Sequence, residues 1–295
     1  MAELSLGRSR WSVIAAAALF STGGAAIKGT ALTAFQVAGF RSAVAALALV
    51  LLLPAARRGF GLDLLPAAVA YAGTLVCFVL ATKLTTSAAA IFLQSTAPIW
   101  ILLLAPLLLK EPIRLADLPA VGLAAVGLAL VFLGSRDAAA TAPRPELGNL
   151  FALASGLFYA LMMVTMRRLS RDAGPGNDRS LAATVLGNAL AFVATLPLAL
   201  PVTAIRSADV AAILYLGVVQ IGLAYWLFAR GLQRLPALEV SLLVLLEPVL
   251  NPLWTWLSAG ERPSALASAG GALMIVALAA RVLLQRGPSP PPIPD

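Results

Sequence analysis

The sequence predicts an all-α integral membrane protein whose ten transmembrane helices form two inverted repeats of five helices. Three observations support this fold class. Hydrophobic residues make up 60% of the chain, charged residues make up 12%, and the mean hydropathy is +0.93, far above the value for a water-soluble domain. Apolar runs long enough to cross a bilayer recur along the whole chain. One proline–glutamate pattern also occurs twice, because 13 positions separate Pro98 from Glu111 and Pro248 from Glu261.

Charged and Pro/Gly-rich breaks divide the apolar sequence into ten predicted spans, each near the length of about 20 residues that a bilayer requires. The longest break, at 135–146, follows the fifth span, so we predict two domains at 11–134 and 148–284. The spans are 11–27, 34–54, 66–82, 88–109, 117–134, 148–168, 180–200, 208–230, 238–257 and 264–284.

The distribution of cationic residues predicts the orientation. Most Lys and Arg residues near the span ends fall on the same side as the N-terminus, and the side with the cationic excess is normally cytoplasmic. We therefore expect both termini in the cytoplasm. Because each half has an odd number of spans, the second half must enter the membrane from the opposite side, which makes the repeat an inverted one.

The composition excludes several kinds of site. The chain has no histidine and one cysteine, Cys77, which argues against a cysteine- or histidine-based metal centre, a disulfide framework and a histidine general base. We expect no catalytic residues, metal or cofactor. The net charge of +8 is interpreted as cationic cytoplasmic loops and not as a nucleic-acid surface.

Further internal matches support the repeat and carry a family resemblance. LFS at 19–21 matches LFY at 157–159, and Pro54 and Pro201 end the second and seventh spans. Ten spans in two halves, an Ala/Thr-rich break before the fourth span, the paired prolines, and the sequences KEP and GERP at the ends of the fourth and ninth spans resemble the drug/metabolite transporter superfamily, EamA-type branch. The resemblance covers nearly the whole chain.

The resemblance implies a secondary transporter of the bacterial inner membrane, with a central cavity that opens alternately to each side. Within that superfamily the chain is most similar to exporters of aromatic and other neutral amino acids. We expect a small-molecule substrate, the lipid bilayer as the surroundings, and a monomer. Two alternatives stay open. One is a sugar-phosphate or nucleotide-sugar carrier, which needs several cations in its cavity. The other is a non-transporting or lipid-handling helical bundle.

Glu247 is the most informative candidate residue. It lies about ten residues into the ninth span, near the bilayer midplane, where an acidic side chain costs about 2.5–3.5 kcal/mol on insertion scales. Asn251 and Trp254 follow at helical spacing and share its face. Either Glu247 binds a substrate ammonium group or carries a coupling proton, or it is a protonated or hydrogen-bonded side chain that links two helices.

Arg41 is the corresponding cationic candidate. It lies about seven residues into the second span, roughly 10 Å deep at 1.5 Å per residue. Its guanidinium either recognises a substrate carboxylate or reaches the membrane surface or helix-end carbonyls. Polar, aromatic and thioether residues of four other spans complete the predicted substrate site, although such residues also serve ordinary packing. They are Tyr71, Thr74, Phe78, Gln94, Tyr159, Met163 and Gln220.

Pro98 and Pro248 are predicted hinges or static kinks. Each lacks a backbone donor, which frees the carbonyls of Gln94 and Val244. We expect Glu111 and Glu261 to cap the following helices, and Lys28 and Lys83 to be solvated at outer helix ends. The fifth and tenth spans have almost no polar side chains and are expected at the periphery.

Overall fold

The computed structural model describes residues 2–111, 115, 118–133, 142–172, 179–259 and 265–284, and every regular element in these ranges is helical. Seven helical segments of the described chain are long and apolar enough to cross a membrane, and Leu118–Leu130 and Ser268–Ala277 are shorter apolar helices. The all-α membrane fold is therefore confirmed. Most of the predicted linker at 135–146, together with Glu261, lies outside the described residues.

Each predicted span coincides with one helix or with a short series of helices. The elements are α1 (Ala2–Phe20), α2 (Gly23–Gly29), α3 (Ala34–Leu52), α4 (Leu65–Leu84), α5 (Ser87–Gln94), α6 (Ala97–Leu109), α7 (Leu118–Leu133), α8 (Pro145–Asp172), α9 (Arg179–Ala199), α10 (Ser207–Leu214), a π-helical segment (Tyr215–Leu223), α11 (Ala224–Leu232), α12 (Ala237–Val244), α13 (Leu246–Ala259) and α14 (Ala265–Leu284), with 3₁₀ turns at Pro54–Arg57 and Leu62–Leu64.

Two of the predicted spans are interrupted at a Ser-Thr pair. Ser21 and Thr22 separate α1 from α2, and their hydroxyls donate to the carbonyls of Ala18 (2.6 Å) and Leu19 (2.7 Å). Ser95 and Thr96 separate α5 from α6 in the same way, with bonds to Ile91 and Leu93 (both 2.7 Å). Hydroxyl side chains that bond to nearby carbonyls offer the backbone an alternative to the helix. The sequence prediction missed the first interruption.

Two further interruptions lie in the second half of the chain. Leu245 separates α12 from α13, and residues 215–223 form the π segment within the eighth predicted span. Widened turns of this kind are rare and are often found at functional sites. The described part of the chain thus departs from continuous α-helix within four predicted spans.

The two prolines each lie just after a break in a predicted span. Pro98 lies in the first turn of α6, and Pro248 is the third residue of α13, so each begins a second half-helix and does not kink a continuous one. Because proline has no N–H, neither residue can donate to the carbonyl of Gln94 or of Val244. Gly156 lets α8 approach the first of these breaks, where a Cβ would lie 3.0 Å from the Gln94 oxygen.

Helices α7 and α14, the fifth and tenth predicted spans, pack against each other. Gly127 of α7 permits this close approach, because a Cβ at that position would lie 2.8 Å from the Gly270 carbonyl oxygen and 2.5 Å from Met274 Cγ. The opposite faces of the pair are apolar and exposed, at Val126 and Val276 for example. In a bilayer these faces meet lipid.

Gly127→Ala is expected to lower the apparent melting temperature of the protein in detergent micelles, because overpacking a tight contact typically costs about 1–3 kcal/mol. Gly122 lies on the same helix with open space around its Cα. Gly122→Ala should therefore leave the melting temperature unchanged or raise it, since alanine favours a helix by roughly 0.5–1 kcal/mol over glycine. Equal shifts in the two variants would contradict the packing described for α7 and α14.

Candidate functional site

Most of the predicted substrate-binding residues line one enclosed cavity in the centre of the bundle. Its volume is about 30 Å³, which is room for one or two water molecules and not for an amino acid. Its walls come from α1, α3, α4, α5, α8, the π segment, α11 and α13. The lining residues are Phe20, Arg41, Thr74, Leu75, Phe78, Gln94, Tyr159, Gln220, Ile221, Tyr225 and Glu247.

The cavity lies where the helices are interrupted. Phe20 is the last residue of α1, Gln94 is the last residue of α5, Gln220 lies in the π segment, and Glu247 is the second residue of α13. Irregular backbone is tolerated at membrane depth only where it is buried in protein or lines a cavity. In broken-helix transporters the substrate binds at such interruptions.

Arg41 is the cation of this cavity. Its side chain is 1% exposed, so it does not reach the membrane surface, and the snorkelling alternative is wrong. The guanidinium Nη2 donates to the carbonyl of Leu75 (3.2 Å), which lies within α4 and not at a helix end. Arg41 Nε has no hydrogen-bond partner in the described part of the protein. An arginine has five N–H donors, so this side chain keeps donors for a ligand.

Glu247 is the acidic residue of the same cavity and is 6% exposed. Within the described ranges the four ion pairs are Arg10–Glu239, Arg167–Glu111, Arg179–Asp63 and Arg206–Asp209, so no ion pair joins Arg41 to Glu247. Tyr225 lines the cavity together with both residues. The cavity therefore holds one basic and one acidic side chain that form no ion pair with each other.

A hydrogen-bonded chain fixes the polar wall beside these charges. Gln94 Nε2 donates to Ser155 Oγ (2.8 Å), and Ser155 Oγ donates to the carbonyl of Thr74 (3.0 Å). On the other side, Gln220 Nε2 lies 3.5 Å from the Phe20 carbonyl, while Gln220 Oε1 has no partner among the described residues. The two glutamines are thus oriented by the protein, and one amide oxygen remains available.

Aromatic rings form the apolar part of the cavity. Phe20 and Tyr225 are in contact, with ring centroids 4.8 Å apart, and Phe228 packs behind them at 6.1 and 5.8 Å. Tyr71 stands 4.6 Å from Tyr225, and Tyr159 closes the wall from α8. Phe20, Leu75, Ile221 and Tyr225 were absent from the predicted site, because an apolar or aromatic residue in a membrane span has the same pattern in a cavity wall as in a packed core.

Four predicted site residues lie outside the cavity. Tyr71 packs behind Tyr225, and its hydroxyl accepts a hydrogen bond from Asn188 Nδ2 (2.9 Å). Met163 is 1% exposed and belongs to the hydrophobic core. Asn251 lies close to Gly24 of α2, and Trp254 Nε1 donates to Ser21 Oγ (2.6 Å) at the first helix break.

Polar contacts close both ends of the bundle. At one end, which we name the Asp209 end, Asp209 is 1% exposed and accepts from Arg206 Nη2 (2.8 Å) and from the Ala31 backbone N–H (2.9 Å). Lys28 and Lys83 are not simply solvated there, because their ammonium groups donate to the carbonyls of Thr85 and Thr30 (both 2.8 Å). These contacts tie α2 to α4 and α10.

The opposite end, which we name the Glu239 end, is closed by two ion pairs. Arg10 Nε contacts Glu239 Oε1 at 2.7 Å, which joins α1 to α12. Arg167 Nε contacts Glu111 Oε1 at 3.1 Å. Glu111 therefore binds α8. Residues 112–114 and 116–117, which lead into the helix that Glu111 was expected to cap, lie outside the described residues. Polar contacts thus join the helices at both ends of the bundle, on either side of the central cavity.

Comparisons with known proteins agree with this architecture. The sequence model of the EamA-like transporter family matches residues 10–133 and 146–282. A crystal structure of another protein matches 94% of this chain and 97% of its own, with 22% sequence identity and a TM-score of 0.74. At that identity the likeness shows the fold alone. No curated protein sequence matches the chain significantly.

Ser155→Ala is expected to lower the apparent melting temperature, because it removes the acceptor of Gln94 and the bond to Thr74, a loss of about 1–2 kcal/mol. Ser42 is a matched control, since it is equally buried and its hydroxyl has no hydrogen-bond partner in the described ranges. Ser42→Ala should not destabilise the protein. Thermal unfolding of both variants in the same detergent checks this, and an equal loss in both would contradict the hydrogen-bonded chain.

Proposed function

The chain belongs to the EamA-like transporter family, whose members are membrane transporters of small molecules, and we propose that it exports zwitterionic metabolites, foremost aromatic and other neutral amino acids. Transport would cross the bacterial inner membrane by alternating access, with the protein acting as a monomer. We assign substrate binding to the central cavity and propose that both chain termini lie in the cytoplasm.

The observation that carries this proposal is that one basic and one acidic side chain line the same cavity. Arg41 and Glu247 both line it, and they form no ion pair with each other. A buried charge is costly unless a partner is supplied. An amino acid has a carboxylate for the Arg41 guanidinium, where bidentate bonds are favourable, and an ammonium group for the Glu247 carboxylate. One zwitterion would thus supply a partner to each buried charge.

The remaining wall suits a neutral side chain. Phe20, Phe78, Tyr159 and Tyr225 supply aromatic surface, which favours contact with apolar and aromatic groups. Because the present cavity is smaller than an amino acid, binding requires α-helical segments to separate, and the interruptions provide places where backbone angles change most readily.

The positions of two interruptions support the proposed inverted repeat of 11–134 and 148–284. The break at Ser95 lies three residues before Pro98, and the break at Leu245 lies three residues before Pro248. In an inverted repeat these half-helices approach the membrane centre from opposite sides. Alternating access then consists of opening the Asp209 end while the Glu239 end stays closed, followed by the reverse.

Two observations weigh against the alternative functions. A sugar-phosphate carrier needs several cavity cations, and Arg41 is the single cation among the residues that line this cavity. A lipid-handling protein needs a polar groove open to the bilayer, whereas no cavity-lining residue is more than 7% exposed. Both features favour a carrier that encloses a small solute.

Liposomes that contain the purified protein should take up labelled phenylalanine in a saturable manner. Arg41→Gln and Glu247→Gln keep the approximate size of each side chain and remove a charge. Each should weaken apparent affinity roughly ten- to hundredfold, the equivalent of one charge-assisted hydrogen bond of about 1.5–3 kcal/mol. The controls are Arg234→Gln and Glu146→Gln, which alter exposed charges outside the cavity and should retain wild-type uptake.

The same assay separates the rival functions. Undiminished phenylalanine uptake in both cavity variants would overturn the assignment of Arg41 and Glu247. Flux of a sugar phosphate without amino-acid flux would favour the sugar-phosphate carrier, and no flux of either solute would favour the lipid-handling bundle. Acceleration by a pH gradient in the wild type, lost in Glu247→Gln, would identify Glu247 as the carrier of a coupling proton.

A further inference from the structure

A second pocket opens on the outer surface of the bundle, between the C-terminal half of α3 and the π segment. Its volume is about 300 Å³, and its walls are apolar throughout. Leu52 and Leu223 are 68% and 43% exposed, so the pocket opens to the surroundings of the protein, which at these spans are lipid. We name it the α3 groove. It is lined by Ala48, Leu49, Leu52, Leu53, Val218, Val219, Gly222, Leu223 and Trp226.

Arginines surround the end of this groove where α3 terminates. The guanidinium of Arg230 lies over the ring of Trp226, 5.0 Å from its centroid. Arg57 and Arg58 follow α3 directly, and both are exposed. Arg57 donates to the carbonyls of Val50 (2.5 Å) and Leu51 (2.8 Å), which holds it beside the final turn of α3.

Packing brings the two arginine-bearing segments to the same end of the bundle. Ala56, next to Arg57, and Ala229, next to Arg230, belong to one buried cluster, which Trp226 also contacts. The nearby carboxylate of Asp63 is already ion-paired with Arg179. The groove thus combines an apolar cleft with a cationic rim at one end.

We propose that the α3 groove binds an acyl chain of an anionic phospholipid, whose phosphate group lies among Arg57, Arg58 and Arg230. The apolar walls fit a hydrocarbon chain, and clustered arginines at a membrane surface attract anionic lipid headgroups. A second copy of this chain is a poorer occupant. In a two-fold dimer the same patch meets itself, so the two sets of arginines would approach each other.

The position of the groove places this lipid behind one wall of the central cavity. Val218, Val219, Gly222 and Leu223 line the groove, while Gln220 and Ile221 of the same π segment line the cavity. An acyl chain in the groove therefore supports the rear of a cavity wall. This wall is one of the four interrupted regions of the described chain.

Quenching of Trp226 fluorescence by brominated lipids tests the proposal without any transport measurement. The full chain is placed in vesicles of phosphatidylcholine with a minor share of either brominated phosphatidylglycerol or brominated phosphatidylcholine. The Trp226 contribution is the difference between the wild type and Trp226→Phe. Brominated phosphatidylglycerol should quench this contribution more strongly than brominated phosphatidylcholine does.

Two pairs of variants test whether the preference for phosphatidylglycerol depends on the α3 groove and on its arginines. Ala48→Phe fills the groove and should abolish the preference for phosphatidylglycerol, whereas Leu47→Phe, on the exposed neighbouring position of α3, should keep it. Arg58→Gln with Arg230→Gln should also abolish it. The control, Lys110→Gln with Arg144→Gln, removes the same charge from exposed positions elsewhere and should keep the preference.

Equal quenching by the two brominated lipids in the wild type would overturn the proposal, because the cationic rim would then recognise no headgroup. Absence of quenching by both would overturn it as well, since the groove would be covered by something other than lipid, such as a second copy. A preference that survives in Ala48→Phe would place the phosphatidylglycerol contact outside the groove.

Discussion

The structure depends on one constraint, which is that backbone polar groups and charges inside a bilayer must find their partners within the protein. The four interrupted regions meet this constraint in related ways. Ser21, Thr22, Ser95 and Thr96 bond to carbonyls of the preceding turn at two of them. At the break before Pro248, the Leu245 N–H donates to the carbonyl of Leu242 (3.1 Å), and in the π segment wider turns replace the α-helical ones. The interruptions then surround a single central cavity.

The same constraint gives the cavity its chemical character. Arg41 is held by the Leu75 carbonyl, and Glu247 faces the same space without an ion pair to Arg41. Direct pairing would lower the cost of burying the two side chains as charged groups, and they form no ion pair with each other. We propose that they bind a ligand with one charge of each sign. Polar contacts at the Asp209 and Glu239 ends join the helices on both sides of this site.

Hydropathy was sufficient to predict the spans and the all-α membrane fold, because the bilayer fixes both helix length and apolar composition. It also placed Arg41, Gln94, Gln220 and Glu247 among the candidates, since polar residues in apolar spans are costly and converge on the protein interior. It did not identify Phe20 and Tyr225, whose aromatic side chains occur equally in cores. No sequence pattern at residues 215–223 predicted that this segment departs from α-helical geometry.

Helical periodicity did not distinguish the residues of one helix face that line the cavity from those that lie beyond it. Asn251 and Trp254 share a face with Glu247, but at 1.5 Å per residue Trp254 lies about 10 Å further along the helix axis. Trp254 on that face donates a hydrogen bond to Ser21, at the break between α1 and α2, instead of lining the cavity. Besides the two prolines, the paired Ser-Thr sequences at 21–22 and 95–96 were a signal for the interruptions, and they indicate a break only when tertiary packing encloses the exposed carbonyls.

The most direct test of the two-charge site is equilibrium binding of three matched compounds to the purified wild-type protein by calorimetry. Phenylalanine has both charged groups, phenylpropionate lacks the ammonium group, and phenethylamine lacks the carboxylate. If Arg41 and Glu247 bind the two ends of one zwitterion, phenylalanine binds more tightly than either of the other two compounds. Equal affinity for all three, or tighter binding of a compound with a single charge, would contradict the account.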